Sequence, residues 1–308
     1  MTVRVAAIDC GTNSIRLLIA DVNPESGNVL DIDRRMEIVR LGQGMDSTGE
    51  FAVDALERTF AACDSYADVI ASNNVDRVRF VATSASRDAR NRDTFIAGVK
   101  SRLGVEPDVI SGDEEARLSF AGATNGLVGA AAPYLVVDIG GGSTEFVLGV
   151  TSPQAARSVN IGCVRMTERH FRNDPPSQSE IDAAIADIDA AIELAGETVP
   201  LGEAKTLVGL AGSVTTVAAI ALELTEYDPE RIHGARLSAD TIDAVSDRLL
   251  GLSRDERAQI HVMHPGRVDV INAGALVLRR IVHLTGLPDV LVSEHDILDG
   301  IALALAAN

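Results

Sequence analysis

Apolar residues along this chain fall into short continuous runs and into longer stretches where they recur every three or four positions. Short runs bounded by Gly, Asp or Asn predict buried strands, whereas the longer spacing predicts amphipathic helices. In the first part of the chain we predict strands at 3–9, 15–22, 28–41, 77–84 and 107–111, and helices at 51–72, 92–103 and 112–125. Three strands followed by alternating helices and strands are typical of a mixed α/β fold.

The same order of elements begins again in the second part of the chain. We predict strands there at 134–139, 144–151, 155–161, 205–210 and 289–293, and helices at 163–172, 178–196, 214–224, 238–250, 254–261, 268–285 and 296–306. Ser177, followed three residues later by Glu180, predicts a capping box at the start of the long helix. The repetition indicates a duplicated βββαβα unit.

A link rich in Gly and Ala, at 126–133, separates the two copies. We therefore predict two lobes around a central cleft, the first covering 1–127 and the second 128–308. The last helix, at about 297–308, is the element that could pack back on the first lobe.

Two polar turns lie at equivalent places in the copies, each between two predicted strands. Their sequences are DCGTNSIRLLIA, starting at Asp9, and DIGGGSTEFVLG, starting at Asp138, and a Gly and a Ser coincide when they are aligned. Gly lets the backbone approach a ligand closely, backbone N–H groups bind phosphate oxygens, and Asp can hold a metal ion. The pair of turns therefore indicates two half-sites for a polyanion.

Composition and charge exclude several classes of function. The formal net charge is −18, from 27 basic and 45 acidic residues, which argues against non-specific nucleic-acid binding because that needs a basic face. No apolar run reaches about 18 residues, so we predict no membrane-spanning helix. Three cysteines without CxxC spacing, Cys10, Cys63 and Cys163, are interpreted as reduced, mostly buried residues of a cytoplasmic protein.

Two further polar segments of the first copy contain residues suited to chemistry. The segment ATSASRDARN, at 82–91, places Arg87 where a strand meets a helix, which is a favourable place for an anion. The segment ISGDEEARLSF, at 110–120, places Glu114 and Glu115 in the first turn of a helix. Acids in a first turn complement the helix dipole, and we interpret Glu114 in that way.

The second copy contains two comparable segments. GLAGSVTT, at 209–216, includes Gly212 and Ser213 and has the composition of a phosphate-binding turn, which is a weak signal by itself. HPGRVDVINAGA includes Arg267, for which an ion pair with Asp269 and a contact with a ligand are equally open.

Seven segments, in order from residue 3 to about residue 303, resemble successive signatures of the exopolyphosphatase/guanosine pentaphosphate phosphohydrolase (Ppx/GppA) family. They are DCGTNSIRLLI, ATSASRDARN, SGDEEARLSF, DIGGGSTEFV, GLAGSVTT, HPGRVDVI and VSEHDILDGI. The combination of DIGGGSTE and SGxEEA is quite specific, whereas DxGxxS alone fits any actin-like or sugar-kinase-like phosphotransferase. The resemblance implies a two-lobed α/β fold of the ribonuclease-H-like, actin-like type, and a homodimer.

The resemblance also implies roles for individual residues. The second acid of SGxEEA, Glu115, is the expected general base, and the acid that ends DIGGGSTE, Glu145, is expected at the metal and the terminal phosphate. Hydrolysis of a phosphoanhydride needs such a base for water, donors for the phosphate oxygens and a divalent ion. We therefore predict that Asp138 and Glu145, with Asp9 less firmly, hold Mg²⁺ or Mn²⁺ directly or through water. The predicted phosphate-binding residues are Gly11, Thr12, Asn13, Ser14, Arg87, Gly140, Gly141, Gly142, Ser143, Gly212 and Ser213.

Four functions fit these residues to different degrees. The leading hypothesis is an exopolyphosphatase that releases the terminal phosphate of linear polyphosphate, short chains included. The alternative within the same chemistry is a guanosine pentaphosphate (pppGpp) phosphohydrolase. An ATP-dependent kinase of the actin-like superfamily and a non-catalytic sensor of polyphosphate or an alarmone are less favoured, because Glu115 is typical of a water-activating base. No nucleic-acid or membrane partner is expected.

The sequence departs from longer family members in two respects. It ends at Asn308, so we expect no HD-like helical domain after it, and it has Asp296 where relatives commonly have Gly. Two roles stay open on the sequence. Arg16 could contact substrate or pair with a carboxylate, and the basic residues at 165–172 could line an exit path or form a solvated helix face.

Overall fold

A computed structural model describes residues 2–127 and 129–307 of the chain. Met1, Val128 and Asn308 lie outside the described residues. Val128 is the predicted first residue of the second lobe, and Asn308 is the predicted last residue of the terminal helix. The chain divides into two compact units. The first unit comprises Met1–Asn125 together with Asp296–Asn308, and the second comprises Gly126–His295.

The elements of both units are numbered here in chain order. The strands are β1 (Val3–Cys10), β2 (Ser14–Asn23), β3 (Asn28–Ile38), β4 (Arg77–Ala82), β5 (Asp108–Val109), β6 (Tyr134–Ile139), β7 (Thr144–Gly149), β8 (Pro153–Val159), β9 (Thr206–Leu210), β10 (Arg236–Ser238) and β11 (Asp289–Val292). The helices are α1 (Met45–Thr48), α2 (Val53–Ser72), α3 (Ser84–Asp88), α4 (Arg92–Leu103), α5 (Gly112–Thr124), α6 (Cys163–His170), α7 (Gln178–Gly196), α8 (Ala211–Ala221), α9 (Pro229–Ile232), α10 (Ala239–Gly251), α11 (Arg254–Arg257), α12 (Ile271–Thr285) and α13 (Ile297–Ala307).

The sheet of the first unit has the order β3-β2-β1-β4-β5. β1, β2 and β3 are antiparallel neighbours, and β4 and β5 continue the sheet in parallel. β1 is apolar almost throughout because helices cover both faces of this sheet. Ala6 and Ile8 pack on the side of α2 and α4, whereas Val5 and Ala7 pack on the side of α5 and α13. The alternation along β1 therefore separates two apolar clusters.

Two glycines allow α5 and α13 to approach each other at backbone distance. A Cβ atom at Gly122 would lie 1.8 Å from the carbonyl oxygen of Asp296, and one at Gly300 would lie 2.0 Å from the carbonyl oxygen of Leu118. Any side chain at either position would push the helices apart. The contact fixes the start of α13 against α5 within the first unit.

The sheet of the second unit has the order β10-β11-β9-β6-β7-β8. β6, β7 and β8 form an antiparallel meander like that of β1 to β3, and β9 and β11 continue the sheet in parallel. The apolar core of this unit contains residues of the sheet together with α7, α8, α10 and α12. The βββαβα duplication predicted from the sequence is present in both units.

Most predicted elements are confirmed to within a few residues, and the capping box of Ser177 and Glu180 is present. Five boundaries were wrong by three or four residues. The strand predicted at 28–41 ends at Ile38, the helix predicted at 214–224 covers Ala211–Ala221, the helix predicted at 268–285 begins at Ile271, and the helix predicted at 254–261 ends at Arg257. Elements as short as α1, α3, α9 and β10 were missed, because three to five residues are too few to show a hydrophobic period.

Candidate active site

The first turn, Gly11–Ser14, joins β1 to β2 and is closed by a hydrogen bond of 2.9 Å from the Gly11 N–H to the Ser14 carbonyl. The segment that follows β3 holds the turn from one side. The carbonyl of Asn13 accepts the N–H groups of Val39 and Arg40, and the carbonyl of Thr12 accepts an N–H from this same segment. The carbonyl groups of the turn are thus occupied by the protein, which is the arrangement expected of a turn that offers its N–H groups to an anion.

Asp9 lies at the end of β1 and is paired across the sheet with Arg16 of β2. Arg16 donates to Asp9 Oδ2 from Nη2 at 2.6 Å and from Nε at 3.1 Å, and it also forms an ion pair with Asp296. Burial raises the pKa of Asp9, although the charge and the hydrogen bonds of Arg16 act in the opposite direction. Of the two roles that the sequence left open for Arg16, the structure shows the pairing, which is with two carboxylates.

The second turn, Gly140–Ser143, joins β6 to β7 and is closed by the equivalent hydrogen bond, of 3.0 Å. Here the beginning of α6 holds the turn. The N–H of Cys163 donates to the Gly140 carbonyl, the N–H groups of Val164 and Arg165 donate to the Gly141 carbonyl, and the Arg165 guanidinium donates to the Gly142 carbonyl at 2.8 Å. The carbonyl groups of this turn are therefore occupied in the same way as those of the first.

Gly162 makes this contact between α6 and the second turn possible. A Cβ atom at Gly162 would lie 2.2 Å from the carbonyl carbon and oxygen of Gly141 and 2.4 Å from the nitrogen of Gly142. These are backbone atoms, which cannot move aside as the end of a flexible side chain could. The conformation of the second turn consequently depends on a glycine that lies outside it.

Asp138 and Glu145 are directly paired across β6 and β7, so both side chains project from the same face of the sheet. Both are buried, and Glu145 has only 1% of its surface exposed. Glu145 Oε1 accepts hydroxyl hydrogen bonds from Ser143 at 2.8 Å and from Ser158 at 2.7 Å. Two adjacent buried carboxylates form a site of high negative potential within the second unit.

These donors fit a hard divalent cation. Within residues 2–127 and 129–307, no group of three or more His, Cys, Asp or Glu side chains is arranged to hold a metal ion. Mg²⁺ does not need such a cage, because it is usually held by one or two carboxylates together with water and phosphate oxygens. In the first unit, the buried Oδ1 of Asp9 has no hydrogen-bond partner among the described residues, as expected of an oxygen that is completed by a ligand.

Arg87 and Glu115 are brought together in the first unit. Glu115 lies in the first turn of α5, whose N-cap Ser111 accepts the N–H of Glu114, and it is buried. Arg87, from α3, donates to Glu115 Oε2 at 2.5 Å and to the carbonyl of Ile110 at 3.2 Å. Arg87 was predicted to bind phosphate, and the structure places it beside the predicted base.

Gly212 and Ser213 lie at the start of α8, where Arg267 covers the backbone. The Arg267 guanidinium donates to the Gly212 carbonyl and to the Thr216 hydroxyl, and a Cβ atom at Gly212 would lie 1.9 Å from it. Ser213 is buried against Gly274 of α12, beside Cys163. Their role in binding phosphate stays a prediction, and the structure adds the contact of Arg267 with this turn.

The three cysteines are free thiols and buried, as predicted from their spacing. Burial raises the pKa of all three thiols, that of Cys63 to about 12. A thiolate nucleophile is therefore not favoured at neutral pH, although Cys10 and Cys163 adjoin the two turns. In the part of the chain that the structure describes, no helix has the length and apolar composition needed to cross a bilayer.

Sequence reasoning missed three residues that support the site. Ser158 reaches Glu145 from β8, Arg165 reaches Gly142 from α6, and Asp296 reaches Arg16 from the start of α13. The basic segment 165–172 is accordingly divided in function. Arg169 and His170 both contact Asp187 of α7, at 2.7 and 2.8 Å, whereas Arg165 supports the turn. The signal available in the sequence for Arg165 was its position in the first turn of a helix that follows Gly162.

Comparisons with known proteins agree with this arrangement. The model of the Ppx/GppA phosphatase family matches residues 18–304. The chain is 50% identical to Exopolyphosphatase 2 of Mycobacterium tuberculosis, over 98% of each chain. It is 31% identical to a guanosine-5'-triphosphate,3'-diphosphate pyrophosphatase of Photobacterium profundum, covering 98% of this chain and 56% of that protein.

A solved structure of an exopolyphosphatase-like protein matches with a TM-score of 0.96 and 46% identity, covering 99% of this chain and 98% of the other. The α/β fold of the actin-like type that the resemblance implied is confirmed. With the signature segments, the paired turns and these matches in agreement, the chain belongs to the Ppx/GppA phosphatase family.

Proposed function

We propose that this protein is an exopolyphosphatase that hydrolyses the terminal phosphate of linear inorganic polyphosphate by attack of water. The observation that carries the proposal is the position of Glu115, a buried carboxylate in the first turn of α5 that is held by Arg87 at 2.5 Å. A fixed carboxylate of this kind is suited to orient and deprotonate a water molecule. A kinase has no need of such a group, because its acceptor is not water. The name of the relative from Mycobacterium tuberculosis supports the same substrate class.

The two turns supply the donors for phosphate in this proposal. The carbonyl groups of Thr12, Asn13, Gly140 and Gly141 are occupied, and the N–H groups of Gly11 and Gly140 close the turns. The N–H groups of Thr12, Asn13, Gly141 and Gly142 are therefore the candidate donors to the phosphate oxygens. Preorganised donors of this type stabilise the charge that develops on a phosphoryl group without having to reorganise during the reaction.

In the second unit, Asp138 and Glu145 would hold Mg²⁺, or Mn²⁺ in its place. In the first unit, the Oδ1 atom of Asp9 is the candidate ligand. The ion would supply charge neutralisation for the polyanion when bound. The hydroxyl groups of Ser143 and Ser158 orient Glu145 by donating to one of its oxygens. In this way the protein fixes the carboxylate before any ligand arrives.

A comparison of Glu115→Gln with Glu114→Gln tests the proposal. The glutamine oxygen can still accept from Arg87, so we expect Glu115→Gln to remain folded while kcat for phosphate release falls by about 10²–10⁴. Glu114 is the matched control, since it lies next in sequence and its carboxylate faces Arg79, at 3.5 Å. We expect it to change kcat by no more than about twofold.

The assay is phosphate release from polyphosphate of defined lengths, with and without Mg²⁺. The proposal is wrong if the wild-type protein releases no phosphate from any length, or if Glu115→Gln retains the wild-type kcat. Comparing kcat/KM on polyphosphate with kcat/KM on pppGpp decides between the proposal and the alternative substrate, which the Photobacterium relative supports.

Two expectations from the sequence stay predictions. A homodimer is one, and sedimentation of the purified protein measures it. A cytoplasmic location is the other, and fractionation of cells that express the protein measures it.

A further inference from the structure

Three buried charges meet where β1, β2 and the start of α13 come together in the first unit. Arg16 lies between Asp9 and Asp296 and donates to one oxygen of each carboxylate. The side chains of Asp9 and Asp296 are only 7% and 8% exposed, and that of Arg16 is 18% exposed. Water screens such a cluster poorly, so each charge acts strongly on its neighbours.

The two oxygens of Asp9 differ. Oδ2 accepts both hydrogen bonds from Arg16, at 2.6 and 3.1 Å, whereas Oδ1 is buried and accepts none from the described residues. The hydroxyl of Thr12, in the adjacent turn, is also buried without a partner among them. Leaving a buried carboxylate oxygen unpaired is costly, so a ligand is expected to complete it.

The side chain of Asp296 is fixed at both oxygens. Oδ1 accepts the N–H of Leu298 at 2.9 Å, which caps α13, and Oδ2 accepts Arg16. The backbone N–H of Asp296 donates to Asp299 at 3.0 Å, and Asp299 in turn accepts Arg34 at 2.9 Å. Asp296 is therefore held in place to receive Arg16.

We propose that Asp296 is a positioning residue for Asp9, and that it shares the charge of Arg16 so that Asp9 Oδ1 keeps the negative character needed to bind a divalent cation. The inference rests on the proposed function, because the cation is the one that accompanies the phosphate. Arg16 fixes the orientation of Asp9 by binding Oδ2, and Asp296 limits how far the same guanidinium neutralises it. Without the second carboxylate, Arg16 would pair with Asp9 alone.

Asp296→Asn removes the charge and retains the cap, because Asn is as good an N-cap as Asp. Mn²⁺ is the probe, and its binding to the full-length protein without substrate is measured from the loss of the free-ion EPR signal. We expect the variant to bind Mn²⁺ roughly tenfold more weakly than the wild type, the range found when a residue that orients a metal ligand is changed. Asp296→Ser, also a good cap, is the second variant should the first fold poorly.

Asp21→Asn is the matched control, because it removes the same charge from β2 but takes it from an ion pair with Arg4 instead of Arg16. We expect it to change Mn²⁺ affinity by about twofold or less. Asp9→Asn should weaken binding at least as much as Asp296→Asn. The double variant should bind no more weakly than Asp9→Asn, since both changes act through one carboxylate.

The inference is overturned if Asp296→Asn and Asp296→Ser bind Mn²⁺ like the wild type, if Asp21→Asn weakens binding as much as Asp296→Asn does, or if the wild type binds no Mn²⁺. Phosphate release is read separately. Wild-type protein that shows the expected Mn²⁺ pattern but releases no phosphate contradicts the proposed function alone. Protein that releases phosphate while the Asp296 variants bind Mn²⁺ normally contradicts this inference alone.

Discussion

The two Gly-to-Ser turns, Gly11–Ser14 and Gly140–Ser143, have the same backbone frame and different side-chain chemistry. In each, an Asp at the end of a strand is paired across the sheet with a residue of the next strand, and a hydrogen bond from Gly to Ser closes the turn. The residue opposite Asp9 is Arg16, whereas the residue opposite Asp138 is Glu145. One turn thus places a cation beside its Asp, and the other places a second carboxylate there.

The difference teaches how two copies of one unit diverge in chemistry. The frame in which the protein occupies the carbonyl groups of the turn is kept in both copies, which is the arrangement expected if both turns donate to phosphate. A single cross-strand position then decides whether the Asp is paired by the protein or shares its charge with a second acid. We infer that the second turn carries two candidate metal ligands side by side, whereas the first carries one, Asp9, whose other oxygen is bound by Arg16.

The largest expected effect comes from removing the charged side chain at this cross-strand position in each turn. Arg16→Gln leaves Asp9 and Asp296 buried beside each other without their common cation, so we expect a loss of about 3 kcal/mol in the free energy of unfolding. Glu145→Gln keeps an oxygen for Ser143 and Ser158, so stability should change little. Its kcat should nevertheless fall by about 10²–10³ because the negative charge beside Asp138 is lost.

Urea unfolding and phosphate release, measured on both variants, separate the two effects. The assignment of roles fails if Glu145→Gln is the unstable variant, or if Arg16→Gln is stable and Glu145→Gln is fully active. Ser158→Ala is an informative companion, since it removes one donor from Glu145 while leaving its charge. We expect it to be less severe than Glu145→Gln.

A second, smaller effect tests the supports behind the turns. Gly162→Ala would force the backbone of the second turn to move, because its Cβ would lie 2.2 Å from the Gly141 carbonyl. Gly42→Ala would instead meet the Cγ2 atom of Thr12 at 2.3 Å, a side-chain atom. In Gly162→Ala we expect kcat/KM to fall by about 10–10², since small displacements of positioning groups have effects of this size.

Thr12→Ser removes Cγ2 and keeps the hydroxyl, so it should restore a good part of the activity lost in Gly42→Ala. It should not restore Gly162→Ala, which has no equivalent side chain to shorten. Steady-state kinetics of the two single and two double variants make the comparison. Equal rescue in both backgrounds would contradict the distinction between a backbone clash and a side-chain clash.

The sequence was sufficient to locate the two turns because their pattern repeats, with Asp, Gly and Ser at matching positions between apolar strands. The resemblance to the SGxEEA signature also led to Glu115 instead of Glu114 as the base, and that assignment stays a prediction. The partners of these residues could not be predicted in the same way. Asp296 reaches Arg16 from near the end of the chain, and Ser158 reaches Glu145 only because of the register of β8 on β7.

The backbone supports were equally invisible to pattern reasoning. Gly162 looks like an ordinary residue before a helix, and its importance depends on a contact with Gly141 that exists only after folding. Likewise, the glycines between α5 and α13 are explained by close approach of two helices far apart in sequence. Local pattern predicts elements and turns, whereas contacts between distant segments decide which side chains complete them.

The smallest expected effect concerns how α6, the support of the second turn, is anchored. Partial burial raises the pKa of Asp187 on α7, but hydrogen bonds from His170 and Arg169 of α6 outweigh it and hold the pKa below its ordinary value. A carboxyl whose folded pKa is lowered contributes stability above its unfolded pKa and loses that contribution as the pH falls through the folded value. Asp187→Asn should therefore lower the free energy of unfolding by about 0.5–1 kcal/mol at neutral pH.

The difference between Asp187→Asn and the wild type should shrink as the pH is lowered through the folded pKa of Asp187. Asp182→Asn is the control, because Asp182 is exposed on the same helix and bonds to Gln178 instead of α6. Urea unfolding of the three proteins from neutral to acidic pH measures the gap. The segment after β3, which holds the first turn, is anchored by a different pair, since Arg58 donates to the Val39 carbonyl at 2.8 Å and forms an ion pair with Asp54. An acid-sensitive loss of stability that disappears in Asp187→Asn would therefore belong to the support of the second turn. A gap that stays constant with pH would show that Asp187 anchors α6 without its charge.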